Sequence, residues 1–307
     1  MTKRVPLVLE IKGNSLDDGP GIRSVVFLKG CPLSCQWCHN PESRRPGVEI
    51  SFDPAACIGC RACMDVCDTS ALSMENHWFV DRSRCSLCFK CTRACPSGAL
   101  ARVGKEMTVD EIVKQVLRDL PFFKASDGGV TISGGEPTLS VDFLGQAATA
   151  LKREGIHVLV ETCGQFPFEP FRDRVYPFID LIYYDIKLMD PEAHKRYCGV
   201  SNRTILENFS RLHRSSLEGG VRVLPRTPLV PGITDSEENL EAIVRFYRKH
   251  HVKKTQLMAY HPLWQEKNAR IGLASPTVFP EMDRWMTGER FRQCEKIFLD
   301  AGIGIER

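Results

Sequence analysis

The chain predicts an α/β fold organised on a parallel sheet, and two observations carry the prediction. Short apolar or β-branched runs alternate with amphipathic ones along most of the 307 residues, which is the signature of repeated β/α units. A cysteine-rich stretch over residues 51–103 interrupts the alternation after the first run and reads as an insert. The candidate strands are Val25–Lys29, Gly129–Ser133, His157–Glu161, Leu181–Ile186, Val221–Arg226 and Thr255–Tyr260. Helices are expected over Val109–Asp119, Val141–Glu154, a stretch N-capped near Asn202, Ser236–His250 and Glu289–Ala301. In Asp235-Ser236-Glu237-Glu238 a capping residue is followed by acid in the first turn, as helix N-termini prefer. If the six strands curl as a barrel, functional side chains should gather at its C-terminal mouth.

The first strand leads into Cys31-Pro-Leu-Ser-Cys35-Gln-Trp-Cys38. A cubane iron–sulfur cluster has four irons, and four cysteines close one, as in ferredoxins. Three cysteines leave one iron with an open position, where an outside molecule can chelate and receive an electron. The C-x3-C-x2-C spacing resembles the radical S-adenosylmethionine (SAM) superfamily, in which the open iron binds the amino and carboxylate groups of SAM. Reductive cleavage of SAM then yields a 5′-deoxyadenosyl radical. A zinc site is the competing interpretation, but structural zinc wants four closed ligands. His39, adjacent to Cys38, would have difficulty pointing at the same ion.

Within the insert, Cys57, Cys60, Cys63 and Cys67, then Cys85, Cys88, Cys91 and Cys95 followed by Pro96, form two C-x2-C-x2-C-x3-C runs. In this bacterial ferredoxin pattern the fourth cysteine of each run ligates the other run's cluster. One cluster is therefore assigned to Cys57, Cys60, Cys63 and Cys95, and a second to Cys85, Cys88, Cys91 and Cys67. Zinc knuckles or a disulfide framework are the bland alternatives, and the twice-repeated spacing argues against both. The expected division is a ferredoxin-like insert at 51–103 within a domain made of 1–50 and 104–307.

The remaining motifs close the predicted strands. Ser133-Gly134-Gly135-Glu136-Pro137 follows the second, where paired glycines let backbone approach a ligand and expose N–H groups. Beside the triplet, it suits backbone hydrogen bonding to the methionine amino group of SAM. Glu161-Thr162-Cys163-Gly164 closes the third strand and Asp185-Ile186-Lys187 the fourth. Either these form an ion pair at the rim, or Lys187 and Thr162 bind polar groups of SAM while the carboxylates gather a cation or the ribose. Arg226 and His261 end the fifth and sixth strands.

Composition narrows the partners. A net charge of +3 with 26% charged residues is too small to imply a nucleic-acid surface. No apolar stretch of ~18 residues and no signal-like N-terminus marks the chain for a membrane or export, so the cytoplasm is the expected compartment. Eleven of the fourteen cysteines fall in metal-ligand spacings, which points to a reducing environment rather than disulfides. Cys163, Cys198 and Cys294 are scattered and read as ordinary thiols.

Upstream and within the triplet stand Asp18-Gly19-Pro20-Gly21-Ile22-Arg23, Phe27, Gly30-Cys31 and Trp37-Cys38-His39-Asn40-Pro41-Glu42. With the insert, these resemble the glycyl radical enzyme activating enzymes, in particular the longer members that carry a two-cluster ferredoxin-like insert. The resemblance runs through nearly the whole chain. It implies a partial (β/α)6, TIM-like barrel with an inserted bacterial-ferredoxin-like domain, laterally open so that a loop of another protein can enter. It also implies the activity: hydrogen abstraction from one glycine of a large partner, leaving a glycyl radical.

Residue by residue, the resemblance gives Cys31, Cys35 and Cys38 to the catalytic cluster. It gives Trp37, Gly134, Gly135, Glu136, Lys187 and His261 to SAM, and Asp18 and Arg226 to the incoming glycine loop. Thr162 and Asp185 match positions near a monovalent cation beside the SAM carboxylate, with Glu161 where a short member has aspartate. The expected cofactors are three [4Fe-4S] clusters, SAM and a monovalent cation. The expected partners are a glycyl radical enzyme and a flavodoxin or ferredoxin as electron donor, with no nucleic acid, no membrane and the chain itself a monomer. Two other functions stay open: a radical SAM enzyme acting on a small molecule or RNA, and a plain electron carrier.

Overall fold

The computed structural model describes residues 5–275 and 279–306. Its strands are β1 (Val8–Ser15), β2 (Arg23–Leu28), β3 (Glu49–Phe52), β4 (Leu100–Val103), β5 (Gly129–Gly134), β6 (His157–Thr162), β7 (Leu181–Asp185), β8 (Arg222–Leu229), β9 (Lys254–Ala259) and β10 (Gly304–Ile305). Eight make one sheet in the order β1-β2-β5-β6-β7-β8-β9-β10, and β3 pairs with β4 alone. From β2 to β10 every neighbouring pair is parallel, while β1 runs antiparallel to β2. Each crossover advances one place in the same direction, which is the winding of a barrel. β1 and β10 end the order without pairing to each other, so the barrel is open.

The six predicted strands correspond to β2 and β5 to β9. The edge strands β1 and β10 are additional. β1 alternates weakly and carries Glu10 and Lys12, as edge strands do, and β10 is two residues long. β8 runs three residues past the predicted Arg226, through Pro228. Its pairing with β7 ends at Asp185↔Arg226, so Pro228 lies where only β9 is alongside, a position that tolerates a missing N–H. The five predicted helices form as Val109–Val116, Val141–Arg153, Arg203–Leu217, Glu237–Lys249 and Gly288–Asp300. Ser236 caps as expected, accepting from Asn239 N. Asn202 does not cap: its amide donates to Leu188 O and Met189 O, both at 2.8 Å. Four helices of seven or eight residues were not foreseen, among them Pro191–Cys198, because a hydrophobic period barely shows over two turns.

Strand alternation sorts the side chains. Val130, Ile132, Val158, Val160, Ile182 and Tyr184 pack in the main core with the helices, while the intervening Leu159, Leu181, Tyr183 and Leu224 form a separate cluster on the inner face. Arg23 is fully buried beside that cluster. Its guanidinium donates to Thr131 Oγ1 at 2.7 Å, Val130 O at 2.7 Å and Pro20 O at 3.1 Å, and burial lowers its pKa to about 10. Arg23 thus pins the Asp18-Gly19-Pro20-Gly21 turn, which joins β1 to β2, at the N-terminal end of the sheet.

The cysteine-rich segment has its own core of Ile50, Leu72, Phe79, Val80, Cys91 and Leu100, closed by antiparallel β3 and β4. Its halves repeat in backbone as well as sequence. Left-handed residues recur at Gly59 and Leu87, Arg61 and Phe89, and Ser70 and Gly98, the same positions relative to each cysteine run. Four of these six carry side chains that disfavour positive φ, so the ligand loops are held in shape at a cost. Lys29–Glu49 at 3.0 Å and Arg270–Asp53 at 3.1 Å tie the segment to the rest of the molecule.

Candidate functional site

After β2 the chain enters the cysteine triplet, and backbone bonds fix its course. Gly30 N donates to Ser43 O and Cys31 N to Arg44 O, at 2.6 and 3.0 Å. Farther on, Ser34 N donates to Cys198 O at 2.8 Å and Gln36 N to Tyr197 O at 3.0 Å. The last carbonyls of the helix Pro191–Cys198, which lack partners within the helix, therefore hold the triplet loop. Cys31, Cys35, Trp37 and Cys38 pack into one apolar cluster with Leu33, Leu188, Val230, Ile233 and Trp264. Burial pushes the Cys38 thiol up to about 12, so ligation there must displace a proton.

Two of the supposedly ordinary thiols stand in this cluster. Cys163 and Cys198 pack there together with Cys31 and Cys35, and the Cys198 carbonyl accepts from Ser34 N. The sequence offered no signal for either contact, which joins the ends of β6 and of a helix to a loop far away in the chain. Cys294 lies instead in the main core.

The Gly134-Gly135-Glu136 turn lies against the triplet loop. Gly135 N donates to Leu28 O at 2.9 Å and Glu136 N to Gly30 O at 2.7 Å. These N–H groups are thus spent inside the protein, contrary to the expectation that they face a ligand. An ammonium group needs acceptors in any case, which this turn can supply only through carbonyl oxygens. The Glu136 carboxylate is also engaged: it accepts from Thr138 N, Thr138 Oγ1, Thr162 Oγ1 and Cys163 N at 2.6–3.1 Å, bracing the ends of β5 and β6 together. A Cβ on Gly135 would come within 2.2 Å of Gly30 O and 2.8 Å of Ser43 O. Gly135→Ala should therefore wedge the turn away from the triplet loop and cost about 1–3 kcal/mol, read as a lowered Tm and weakened SAM binding. An unchanged Tm would contradict this close packing.

Around the strand ends runs a chain of charges. Glu161 accepts from Ser133 Oγ and from Arg226 Nη1, each at 2.6 Å. Arg226 also donates to Asp185 Oδ1 through Nε at 3.1 Å and Nη2 at 3.0 Å, and Asp185 Oδ2 accepts from Lys187 Nζ at 3.0 Å. Burial works against the Lys187 ammonium, but Asp185 and the neighbouring thiols outweigh it and raise its pKa. Burial likewise opposes the Asp185 carboxylate, yet Lys187 and Arg226 hold it below the usual range. Every oxygen of Glu161 and Asp185 already accepts a hydrogen bond, and Thr162 Oγ1 both donates to Glu136 and accepts from Gly164 N. A monovalent cation here would have to share oxygens that already accept hydrogen bonds.

His261 stacks on His39 with ring centroids 4.1 Å apart and lies 5.3 Å from Trp285. His261 Nδ1 and His39 Nε2 are buried without hydrogen-bond partners, so the pair suits a polar ligand arriving beside Cys38. Asp18 is not gathered with these groups. It sits in the β1–β2 turn at the opposite end of the sheet, its carbonyl accepting from Thr131 Oγ1 at 2.7 Å.

The insert cysteines surround two small cavities of about 20 Å³ each. One is lined by Cys57, Cys60, Cys63 and Cys95, the other by Cys67, Cys85, Cys88 and Cys91, the two sets expected from the spacing. Ala71 N donates to Cys67 Sγ at 3.3 Å, and the Ser97 hydroxyl lies 3.7 Å from Cys95 Sγ. Donors aimed at sulfur favour the thiolate, the form that binds iron. These linings and donors fit cubane clusters.

Comparison with known proteins agrees with this chemistry. Residues 82–246 match the family model of the radical SAM superfamily, 56–99 that of a 4Fe-4S dicluster domain, and 17–70 that of a 4Fe-4S single cluster domain. The chain is 40% identical over 301 residues to the isethionate sulfite-lyase activating enzyme of Nitratidesulfovibrio vulgaris, covering 96% of this chain and 95% of that one. It is 36% identical over 305 residues to the 4-hydroxyphenylacetate decarboxylase activating enzyme of Clostridioides difficile, covering 97% and 94%. Among solved structures, a radical SAM methyltransferase from Sphaerobacter thermophilus shares the fold, with a TM-score of 0.53 and 14% identity over 98% of this chain and 76% of that one.

Proposed function

Because the chain belongs to the glycyl radical enzyme activating enzymes of the radical SAM superfamily, we propose that its inner face presents one glycine of a partner enzyme to a radical generated beside Cys31, Cys35 and Cys38. The protein activates a glycyl radical enzyme and uses iron–sulfur clusters and SAM. When bound, the catalytic cluster and SAM supply a one-electron reductive cleavage whose 5′-deoxyadenosyl product takes hydrogen from the glycine. The observation that carries the site assignment is convergence. The Gly134–Glu136 turn is bonded to Leu28 and Gly30, which lead into the triplet, and to Cys163, and Cys163 packs in one cluster with Cys31, Cys35 and Cys38.

In this reading carbonyl oxygens of the Gly134-Gly135-Glu136 turn accept from the methionine amino group. Lys187 meets its carboxylate, and Trp37, Thr162 and His261 line the remainder. Glu136 acts through its bracket on Thr162 and Cys163 rather than by touching SAM. Apolar packing around the triplet keeps water away from the reacting atoms. Asp18 and Arg226 bound the path of the peptide from opposite ends of the inner face, with Leu159 and Tyr183 between them. Asp18→Ala should then cleave SAM slowly without partner yet fail to install the radical. Equal loss of both activities would count against a peptide-binding role.

Residues 51–103 would carry two further [4Fe-4S] clusters, three in all, as a domain within the barrel formed by 1–50 and 104–307. Cys60 and Cys88, equivalent in the two half-units, are exposed, and Ile58 and Leu87 beside them are 67% and 39% exposed. A cluster with a ligand and an apolar neighbour at the surface suits electron receipt from flavodoxin or ferredoxin, and low-potential cubanes suit onward delivery. Replacing Cys60 and Cys88 with alanine should abolish activity with the protein donor and spare it with dithionite. Normal activity with both reductants would defeat the relay. The function as a whole is tested by anaerobic incubation of the reduced enzyme with SAM and, in turn, each glycyl radical enzyme of its own organism. A SAM-dependent glycyl radical EPR signal is expected, and SAM cleavage without any radical in the partner would refute the proposal.

A further inference from the structure

We infer that Arg82 and the helix Trp264–Arg270 lock the cysteine-rich segment onto the triplet loop, and so fix where Cys67, Cys85, Cys88 and Cys91 stand relative to Cys31, Cys35 and Cys38. The inference rests on the reading of residues 51–103 as an electron relay.

The helix grips both partners. Lys267 Nζ donates to His39 O at 3.0 Å and to Asn40 Oδ1 at 3.1 Å, and pairs with Glu42 at 3.4 Å, all in the chain that directly follows Cys38. At the end of the helix Arg270 pairs with Asp53 of the segment at 3.1 Å. Arg82 reaches back from the segment: its Nη2 donates to Ile50 O at 2.9 Å and to Arg270 O at 3.5 Å, and its Nη1 to Val80 O at 3.3 Å. Gly272 makes room for it, since the backbone there is left-handed at φ +67 and a Cβ would lie 2.2 Å from Arg82 Nη1. A guanidinium, with its donors in a rigid fork, can hold carbonyls of two elements together, as a flexible ammonium does less well.

The arrangement also distinguishes the two cysteine sets. Ile50 and Phe52, two residues apart on β3, share one face of the strand. Ile50 lines the cavity of Cys67, Cys85, Cys88 and Cys91, and Phe52 that of Cys57, Cys60, Cys63 and Cys95. The residue whose carbonyl Arg82 holds is thus a wall of the first cavity. A second fastening lies where the chain enters and leaves the segment. Lys29, its side chain fully buried, pairs with Glu49 at 3.0 Å and donates to Glu42 O, and a Cβ on Gly104 would lie 2.7 Å from Lys29 Cδ. The segment has an apolar core of its own, so its bonds to the helix and to Lys29 serve its placement. Electron transfer between buried centres falls steeply with distance, and a relay therefore depends on that placement. Arg82 is a positioning residue for it.

The test pairs amide hydrogen exchange of the anaerobically reconstituted holoenzyme with rapid-freeze EPR of the cluster that SAM perturbs, iron content and circular dichroism being checked for each variant. Arg82→Ala should raise exchange in residues 268–273 and in β3 by about tenfold, the worth of one hydrogen bond to a charged group. Reduced flavodoxin should then reduce the SAM-perturbed cluster more slowly than in the native protein, while dithionite reduces it at the native rate. Gly272→Ala, which displaces the guanidinium from outside the segment, should do the same, and it decides by the same criterion where Arg82→Ala loses auxiliary iron. Native exchange, a native rate with flavodoxin, or equal slowing with both reductants would overturn the inference. If flavodoxin instead reduces that cluster equally fast in native protein and after Cys60→Ala with Cys88→Ala, it is the relay beneath that is refuted.

Discussion

Cys35→Ala will abolish SAM cleavage while most of the auxiliary iron remains. In the proposed assignment only the triplet builds a cluster with an open position, and Cys35 is its most buried member, seated against the end of the helix Pro191–Cys198. Removing it leaves two thiols for four irons. The insert quartets line separate cavities and keep their own ligands. Iron analysis of folded, fully reconstituted protein should therefore fall from about twelve atoms per chain to about eight. Cleavage of SAM by the variant would remove the triplet from its assigned role, and about four irons in the native protein would remove both auxiliary clusters.

Arg226→Ala should be the most destabilising single change at the strand ends. Its guanidinium, 7% exposed, bonds both Glu161 and Asp185 and lies 4.7 Å over the Tyr183 ring. The variant leaves two largely buried carboxylates, of which Asp185 keeps its ion pair with Lys187 and Glu161 its hydrogen bond from Ser133. Breaking a buried pair by removing one partner costs about 3–5 kcal/mol, so the Tm should drop by many degrees. The effect has a pH signature. The Asp185 pKa is held below its ordinary value, so the stability it brings is complete above the usual carboxylate pKa of about 4. It is lost as the pH falls through the lower native value. In Arg226→Ala the native Asp185 pKa should rise, so this acid-side loss should shrink and the stability gap between native and variant protein should narrow as the pH falls. An unaltered denaturation midpoint at neutral pH would show the network to be solvated rather than structural.

Much of this architecture is legible in the amino-acid order because its causes are local. Metal-ligand spacing is written in consecutive residues, so both insert quartets could be assigned, crossed ligands included. Of the six predicted strands, β2 and β5 to β8 are buried on both faces and stand out as apolar runs. What escaped detection depends on tertiary contact. Cys163 and Cys198 have no motif of their own and gain meaning only where β6 and a short helix meet the triplet loop. Glu136 sits in a ligand-binding motif, yet its carboxylate is consumed by Thr138, Thr162 and Cys163. The carboxylates of Glu161 and Asp185 were placed at the strand ends from sequence. That one guanidinium would join them depended on which side chains alternate onto the inner face, and so on the register of β6, β7 and β8. Asp18 lies at the far end of the sheet because β1, an edge strand with little alternation, runs antiparallel to its neighbour.

The most direct test of hydrogen abstraction from a partner glycine is isotope transfer. The partner glycyl radical enzyme would be prepared with α-deuterated glycine and incubated anaerobically with reduced holoenzyme and SAM, and the 5′-deoxyadenosine examined by mass spectrometry. The account predicts one deuterium per product molecule, accumulating in step with the glycyl radical EPR signal. Product that carries no deuterium while a radical forms, or product that forms with no radical at all, would contradict it.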